Sequence, residues 1–122
     1  MLNFIWVFIG AGFGGGARWW ISTEISKHLP AYFPFGTLAV NILGSFILGM
    51  LFFTYEDKAG LSQNTKLLIG TGFCGGFTTF STFSLETVNL FRSGEMLLGS
   101  GNIIFNILFT IAGVYIAYLL TR

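Results

Sequence analysis

Rings alternate with hydroxyls between Gly70 and Ser84: Phe73, Phe77, Phe80 and Phe83 interleave with Thr78, Thr79, Ser81, Thr82 and Ser84, and Gly72, Gly75 and Gly76 lie among them. Phe80 and Phe83 are three apart and share a helical face. An aromatic ring is negative on its face and positive at its edge, so ring edges turned into a narrow passage attract an anion without a countercharge. Weak attraction of this kind suits conduction, which needs both entry and release. The glycines weaken any helix through this run, and freed backbone groups at membrane depth are tolerated where they line a cavity or are buried in protein.

Other polar residues stand in apolar surroundings. Asn41 lies mid-run in Gly36–Ser45, where an amide must find partners inside the protein or a wet cavity, so pore lining and interhelical hydrogen bonding are both open. Asn102, Asn106 and Thr110 recur at intervals of four, which places them along one helical face as a polar track. Amides and hydroxyls can donate to an anion or accept from water. Glu86 follows the ring-rich run and has three open roles: a solvated carboxylate at a helix end, a proton site or a vestibule residue.

Several chemistries are excluded. Cys74 is the only cysteine, which rules out an intramolecular disulfide and a cysteine metal cluster and leaves it as a buried packing residue. His28 sits in a proline-containing loop without a second ligand nearby. No nucleophile, base and oxyanion-donor set is visible, so no enzyme is expected. A net charge of +1 without a basic stripe argues against nucleic-acid binding.

The elements that must position these residues follow from composition. Of 122 residues, 9% are charged and 53% hydrophobic, a balance that could not cover the surface of a soluble domain of this size. Charges leave four charge-free runs, Met1–Ala17, Leu29–Tyr55, Leu67–Leu85 and Met96–Thr121. Each is near or above the roughly 17 to 25 residues that span a bilayer. The reading is an all-α membrane protein, a single domain over residues 1–122, with four transmembrane helices near 3–26, 34–55, 65–92 and 96–121 and a break in the third near 75–79. Arg18 precedes Trp19 and Trp20, so its long side chain can snorkel while the indoles sit at headgroup level. No signal peptide is expected, because no basic segment precedes the first apolar run.

Four spans place Lys58, Lys66 and Arg122 on one side, with Lys27, Arg92 and the nearby Arg18 on the other. Orientation follows the Lys/Arg asymmetry between loops, which is nearly nil. Dual topology is favoured, in which oppositely inserted copies pair as an inverted-symmetry homodimer, against a single orientation fixed by partners or lipid. Gly10, Gly12, Gly14, Gly15 and Gly16 on the first helix, and Gly44, Ser45 and Gly49 on the second, read as close-packing positions.

At this level of detail the chain resembles the Fluc (CrcB) family of microbial fluoride channels along essentially its whole length. The second-helix pattern is carried by Gly36-Thr-Leu-Ala-Val-Asn-Ile-Leu-Gly44, and the broken third helix by Gly75-Gly-Phe-Thr-Thr-Phe-Ser-Thr-Phe83. The first-helix pattern is met loosely by Gly10, Ala11, Gly14, Gly15, Arg18 and Trp19. The resemblance implies an antiparallel dual-topology homodimer in the cell (inner) membrane that exports fluoride passively and lowers its toxicity. It implies a structural sodium ion at the dimer centre, held by the backbone carbonyls of Gly75 and Thr78 from both chains. It also implies Phe80 and Phe83 as pore phenylalanines and Asn41 as a fluoride-binding amide. Thr79, Ser81, Thr82, Asn102, Asn106 and Thr110 complete the expected pore, with Arg18 and Glu86 at its vestibule or mouth. The rival is a small dual-topology proton-coupled multidrug exporter, which would need Glu86 as its embedded carboxylate.

Overall fold

In the computed structural model, which describes residues 2–56 and 60–122, the described chain is built from helices. Lys58, counted above in a loop, lies outside the described residues. Helix α1 runs over Leu2–His28 and stops before Pro30, a residue with no N–H to continue the ladder. Helix α2, Phe35–Tyr55, starts immediately after Pro34. Residues 63–77 form a continuous helical arm, α3, made of Gln63–Thr65, Lys66–Cys74 and Gly75–Phe77. Its middle nine residues are wound as a π-helix, a geometry that seldom persists beyond one turn and often marks functional sites. Thr78 and Thr79 are extended, and the chain resumes as α4, Phe80–Arg92. Helix α5 covers Met96–Thr121.

The break therefore falls at Thr78–Thr79, and the side chains there build its second half. Thr79 caps α4, its Oγ1 accepting from the Thr82 N–H at 3.0 Å. Such a cap satisfies one of the donors that every helix start leaves open. At its far end α4 closes with Gly94 at φ +80°, the Gly94 N–H donating to the Phe91 carbonyl and the Glu95 N–H to the Leu90 carbonyl. This pairing is a Schellman closure, which needs a left-handed residue and so favours glycine. It turns the chain sharply into α5.

Two helix pairs organise the fold: α1 lies along α3, and α2 lies along α5. Glycines set the first seam. A Cβ at Gly72 would sit 2.8 Å from the Val7 carbonyl oxygen, and one at Gly76 would sit 2.5 Å from the Ala11 carbonyl oxygen. Gly10 and Gly14 face α3 backbone in the same way. Between α1 and α2, Gly36 meets the Ser22 carbonyl oxygen, 2.6 Å from where its Cβ would be. In the second pair, Gly49 seats against Ala117 and Val114. Without water to drive helices together, such close backbone approach is what lets dispersion hold them.

Two helices, Phe35–Tyr55 and Met96–Thr121, are each long and apolar enough to cross a membrane. Apolar side chains are exposed along both outer faces, among them Phe4, Phe8 and Phe13 on α1 and Leu97, Ile104 and Ile111 on α5. A surface of that kind belongs in lipid rather than water.

Candidate functional site

The helix break opens a cavity of about 210 Å³ between α2, α4 and α5. Asn41 fixes it. Its Nδ2 donates to the Thr79 carbonyl at 3.1 Å and to Asn106 Oδ1 at 3.0 Å, while its Oδ1 accepts from the Thr79 N–H at 2.7 Å. One amide thus satisfies both backbone groups of the residue at which the helix is interrupted. An unpaired backbone group in hydrocarbon costs several kcal/mol, so this bond set is what makes the break tolerable.

The amide relay continues away from the break. Asn106 Nδ2 donates to both the Oδ1 and the carbonyl oxygen of Asn102, each at 2.9 Å. Asn102 Nδ2 donates to Thr87 Oγ1 at 2.9 Å, and that hydroxyl donates to the Phe83 carbonyl at 2.7 Å. Asn102 is 0% exposed. The chain of bonds Thr79–Asn41–Asn106–Asn102–Thr87 therefore ties the break, α2, α5 and α4 into one polar spine.

Placement of the expected site residues divides them. Asn41, Thr79, Phe80, Phe83, Asn106 and Thr110 line the cavity. Asn102 does not, being buried within the spine. Ser81 and Thr82 also fall outside its wall: their hydroxyls gather around Thr79 Oγ1 at 3.3 and 3.1 Å as part of the α4 cap. Thr110 Oγ1 donates to the Asn106 carbonyl at 2.5 Å. Asn41 lines the cavity and its bonds are interhelical, with both amide donors spent on protein.

The two rings differ. Phe83 is 9% exposed and Phe80 is 79% exposed, their centroids 5.3 Å apart and their planes tilted by 59°. Phe83 forms the inner wall, whereas Phe80 stands at the open side of the cavity. Phe73 and Phe77, further back, stack on each other at 5.4 Å, and Phe77 is buried against Gly44. They do not line the cavity.

Ser45 was read from the sequence only as a packing residue, yet it lines the cavity beside Asn41. Its hydroxyl takes part in no side-chain hydrogen bond among the described residues, which leaves it able to donate to a guest. Its position four residues after Asn41 was the available signal, because that spacing repeats a helical face.

Arg18 and Glu86 do not line the same cavity. Arg18 Nε donates to the Gly76 carbonyl at 3.0 Å, so the guanidinium closes a carbonyl at the end of α3. Glu86 lines a second cavity, between the α1–α2 loop and the last turns of α4. Cys74 is buried, as a packing residue should be, and its carbonyl accepts from both the N–H and the hydroxyl of Thr78.

Gly75 and Thr78 meet a third cavity, of about 300 Å³, on the α2–α3 side. In a continuous helix the Gly75 carbonyl would accept from the Thr79 N–H and the Thr78 carbonyl from the Thr82 N–H. Both donors are diverted, to Asn41 Oδ1 and to Thr79 Oγ1. Two carbonyl oxygens are thereby released from the ladder, a donor set of the kind a hard cation takes.

Comparison with known proteins gives a consistent picture. The family described as "CrcB-like protein, Camphor Resistance (CrcB)" matches residues 5–118. A protein of Pyrococcus abyssi named "Fluoride-specific ion channel FluC" is 47% identical, with 95% of this chain and 93% of that protein covered. Proteins of the same name from Serratia proteamaculans and Ruminiclostridium cellulolyticum are 45% and 42% identical, covering 93% and 100% of this chain and 89% and 94% of theirs.

Proposed function

Because this chain belongs to the CrcB-like family, we propose that it is a passive, fluoride-selective channel of the cell (inner) membrane, acting as an antiparallel homodimer and reducing cytoplasmic fluoride toxicity by letting the ion leave. The observation that carries the reading is the cavity at the break, where two phenylalanine rings, a serine hydroxyl without a side-chain hydrogen bond among the described residues and a hydrogen-bonded amide spine meet. The relatives' printed name supplies the ion.

Each part has a physical role. Stripping a small anion of water is expensive: even for a carboxylate-sized ion the idealised cost is of order 20 kcal/mol. The ring edges of Phe80 and Phe83 and the Ser45 hydroxyl offer partial positive charge without a cation that would trap the ion. Asn41 and Asn106 hold the walls in place, since their N–H groups are spent on protein. A larger halide is excluded where bonded walls cannot spread.

Phe80 is exposed and the cavity is open beside it, which supports a second copy closing the passage. In an antiparallel pair, the Gly75 and Thr78 carbonyls of both copies would hold the structural sodium. An ion bound there would supply positive charge where two helix breaks expose carbonyl dipoles. The near-equal basic charge of the two sides, three residues against three, supports insertion both ways.

Two tests address these parts separately. In a microbial host made hypersensitive to fluoride, the wild-type chain should restore growth and Phe83→Ile should not; equal rescue by both would count against the cavity as the route. Adding two lysines to one loop should bias insertion and leave a chain that conducts only with an oppositely biased copy. Full conduction by one biased chain alone would overturn the antiparallel arrangement.

A further inference from the structure

The cavity that contains Glu86 measures about 320 Å³ and lies at the end of the bundle, where the α1–α2 loop crosses the last turns of α4. Its wall combines the Glu86 carboxylate with Tyr32, Phe33 and Phe35 from the loop and the start of α2, and with the polar side chains of Ser26 and Asn89. Glu86 Oε1 is buried and has no hydrogen-bond partner among the described residues, although Thr37 is placed to bond the carboxylate. Among the described residues the one ion pair is Lys27 with Glu24, at 2.8 Å within α1, so no described cation pairs with Glu86.

A carboxylate oxygen removed from water without a partner is costly, and the cost is relieved by a cation that fills the space beside it. The kind of cation follows from the rest of the wall. A hard metal ion takes six or so oxygen ligands. The described residues hold no group of three His, Cys, Asp or Glu that could begin such a shell. Aromatic rings are plentiful instead: Phe33 and Phe35 lie 4.9 Å apart, and Tyr32 meets Phe35 edge-on at 6.3 Å. Aromatic rings beside one carboxylate are the surroundings that recognise alkylammonium ions.

We propose that this cavity is a binding site for a small organic monocation of the ammonium class, its charge held by Glu86 and its alkyl groups by the Tyr32, Phe33 and Phe35 rings. Glu86 is one helical turn from Phe83, so the cation sits directly outside the ring-lined cavity on the same face of α4. It is held at the mouth rather than carried through.

The test is binding of tetramethylammonium to the full-length protein in lipid nanodiscs, read by broadening of the probe's methyl proton resonance. Saturable broadening is expected, weakened about tenfold by Glu86→Gln, which corresponds to about 1.4 kcal/mol, and to a smaller extent by Tyr32→Leu. The proposal is overturned by absent saturable binding to the wild type, or by equal affinity in wild type and Glu86→Gln. Should the Glu86 variant not fold, unchanged affinity in Tyr32→Leu overturns it. Because binding is read without ion flux, a negative result leaves the fluoride reading standing.

Discussion

Two cavities lie one above the other along α4, and they treat their polar groups in opposite ways. Around the inner one, Asn41, Asn106, Asn102 and Thr87 bond to each other and to the broken backbone, and both amide donors of Asn41 and of Asn106 are spent. Around the outer one, Glu86 keeps a buried oxygen without a partner. The inner wall is rigid and nearly neutral, suited to an ion that must pass and leave. The outer wall keeps one buried carboxylate oxygen without a partner, the feature on which the proposed cation site rests. Amides that look like a row of binding groups are, in this arrangement, bonded to one another and to the helix break.

The strongest way to break that contrast is to remove those bonds. Asn41→Ala deletes three hydrogen bonds, at about 0.6 kcal/mol each in membranes, and orphans the Thr79 backbone. Fluoride flux should fall about 100-fold or more, equivalent to about 2.7 kcal/mol at the barrier, with lower thermal stability in detergent. Unaltered flux with unaltered stability would show that Asn41 does not fix the break. Next in size, Phe83→Ile should cut flux about tenfold, or about 1.4 kcal/mol, while chromatography still reports a folded assembly; retention of full flux would remove the ring edges from the account.

Smaller effects sharpen the comparison. Ser45→Ala removes a hydroxyl that has no side-chain hydrogen-bond partner among the described residues, so flux should drop about threefold, under 1 kcal/mol, with the melting temperature unchanged. A lowered melting temperature would mean that the hydroxyl bonds within the protein. Smallest in flux is Asn102→Leu, which should lower stability by about 1 kcal/mol for its lost bonds and leave conduction within about twofold, less than 0.5 kcal/mol. A large flux loss at full stability would instead place Asn102 on the ion's path.

Much of this architecture was legible in the residues themselves. Charge-free runs contain α2 and α5, whereas α1 continues through Arg18, Glu24 and Lys27 to His28, two residues beyond the expected boundary, because Pro30 rather than the last charge sets the limit. The glycine and threonine run located the break, which the structure narrows to Thr78–Thr79. What spacing could not assign was partnership. Asn102, Asn106 and Thr110 share a stripe, yet only the last two reach the cavity, because α4 packs over Asn102 and takes its amide through Thr87. Ser81 and Thr82 were drawn to the cap of α4 by Thr79, a local competition that a one-letter pattern does not reveal. Arg18 reads from its tryptophan neighbours as a snorkelling side chain, whereas its guanidinium bonds the Gly76 carbonyl 58 positions along the chain.

Direct measurement of the transported ion tests the central claim. Purified protein in liposomes loaded with fluoride, with sodium present and an electrode following external fluoride, should show rapid passive efflux, and chloride-loaded liposomes under the same conditions should retain their anion. Efflux of both ions at similar rates, or no fluoride efflux from a verified folded assembly, would contradict the account.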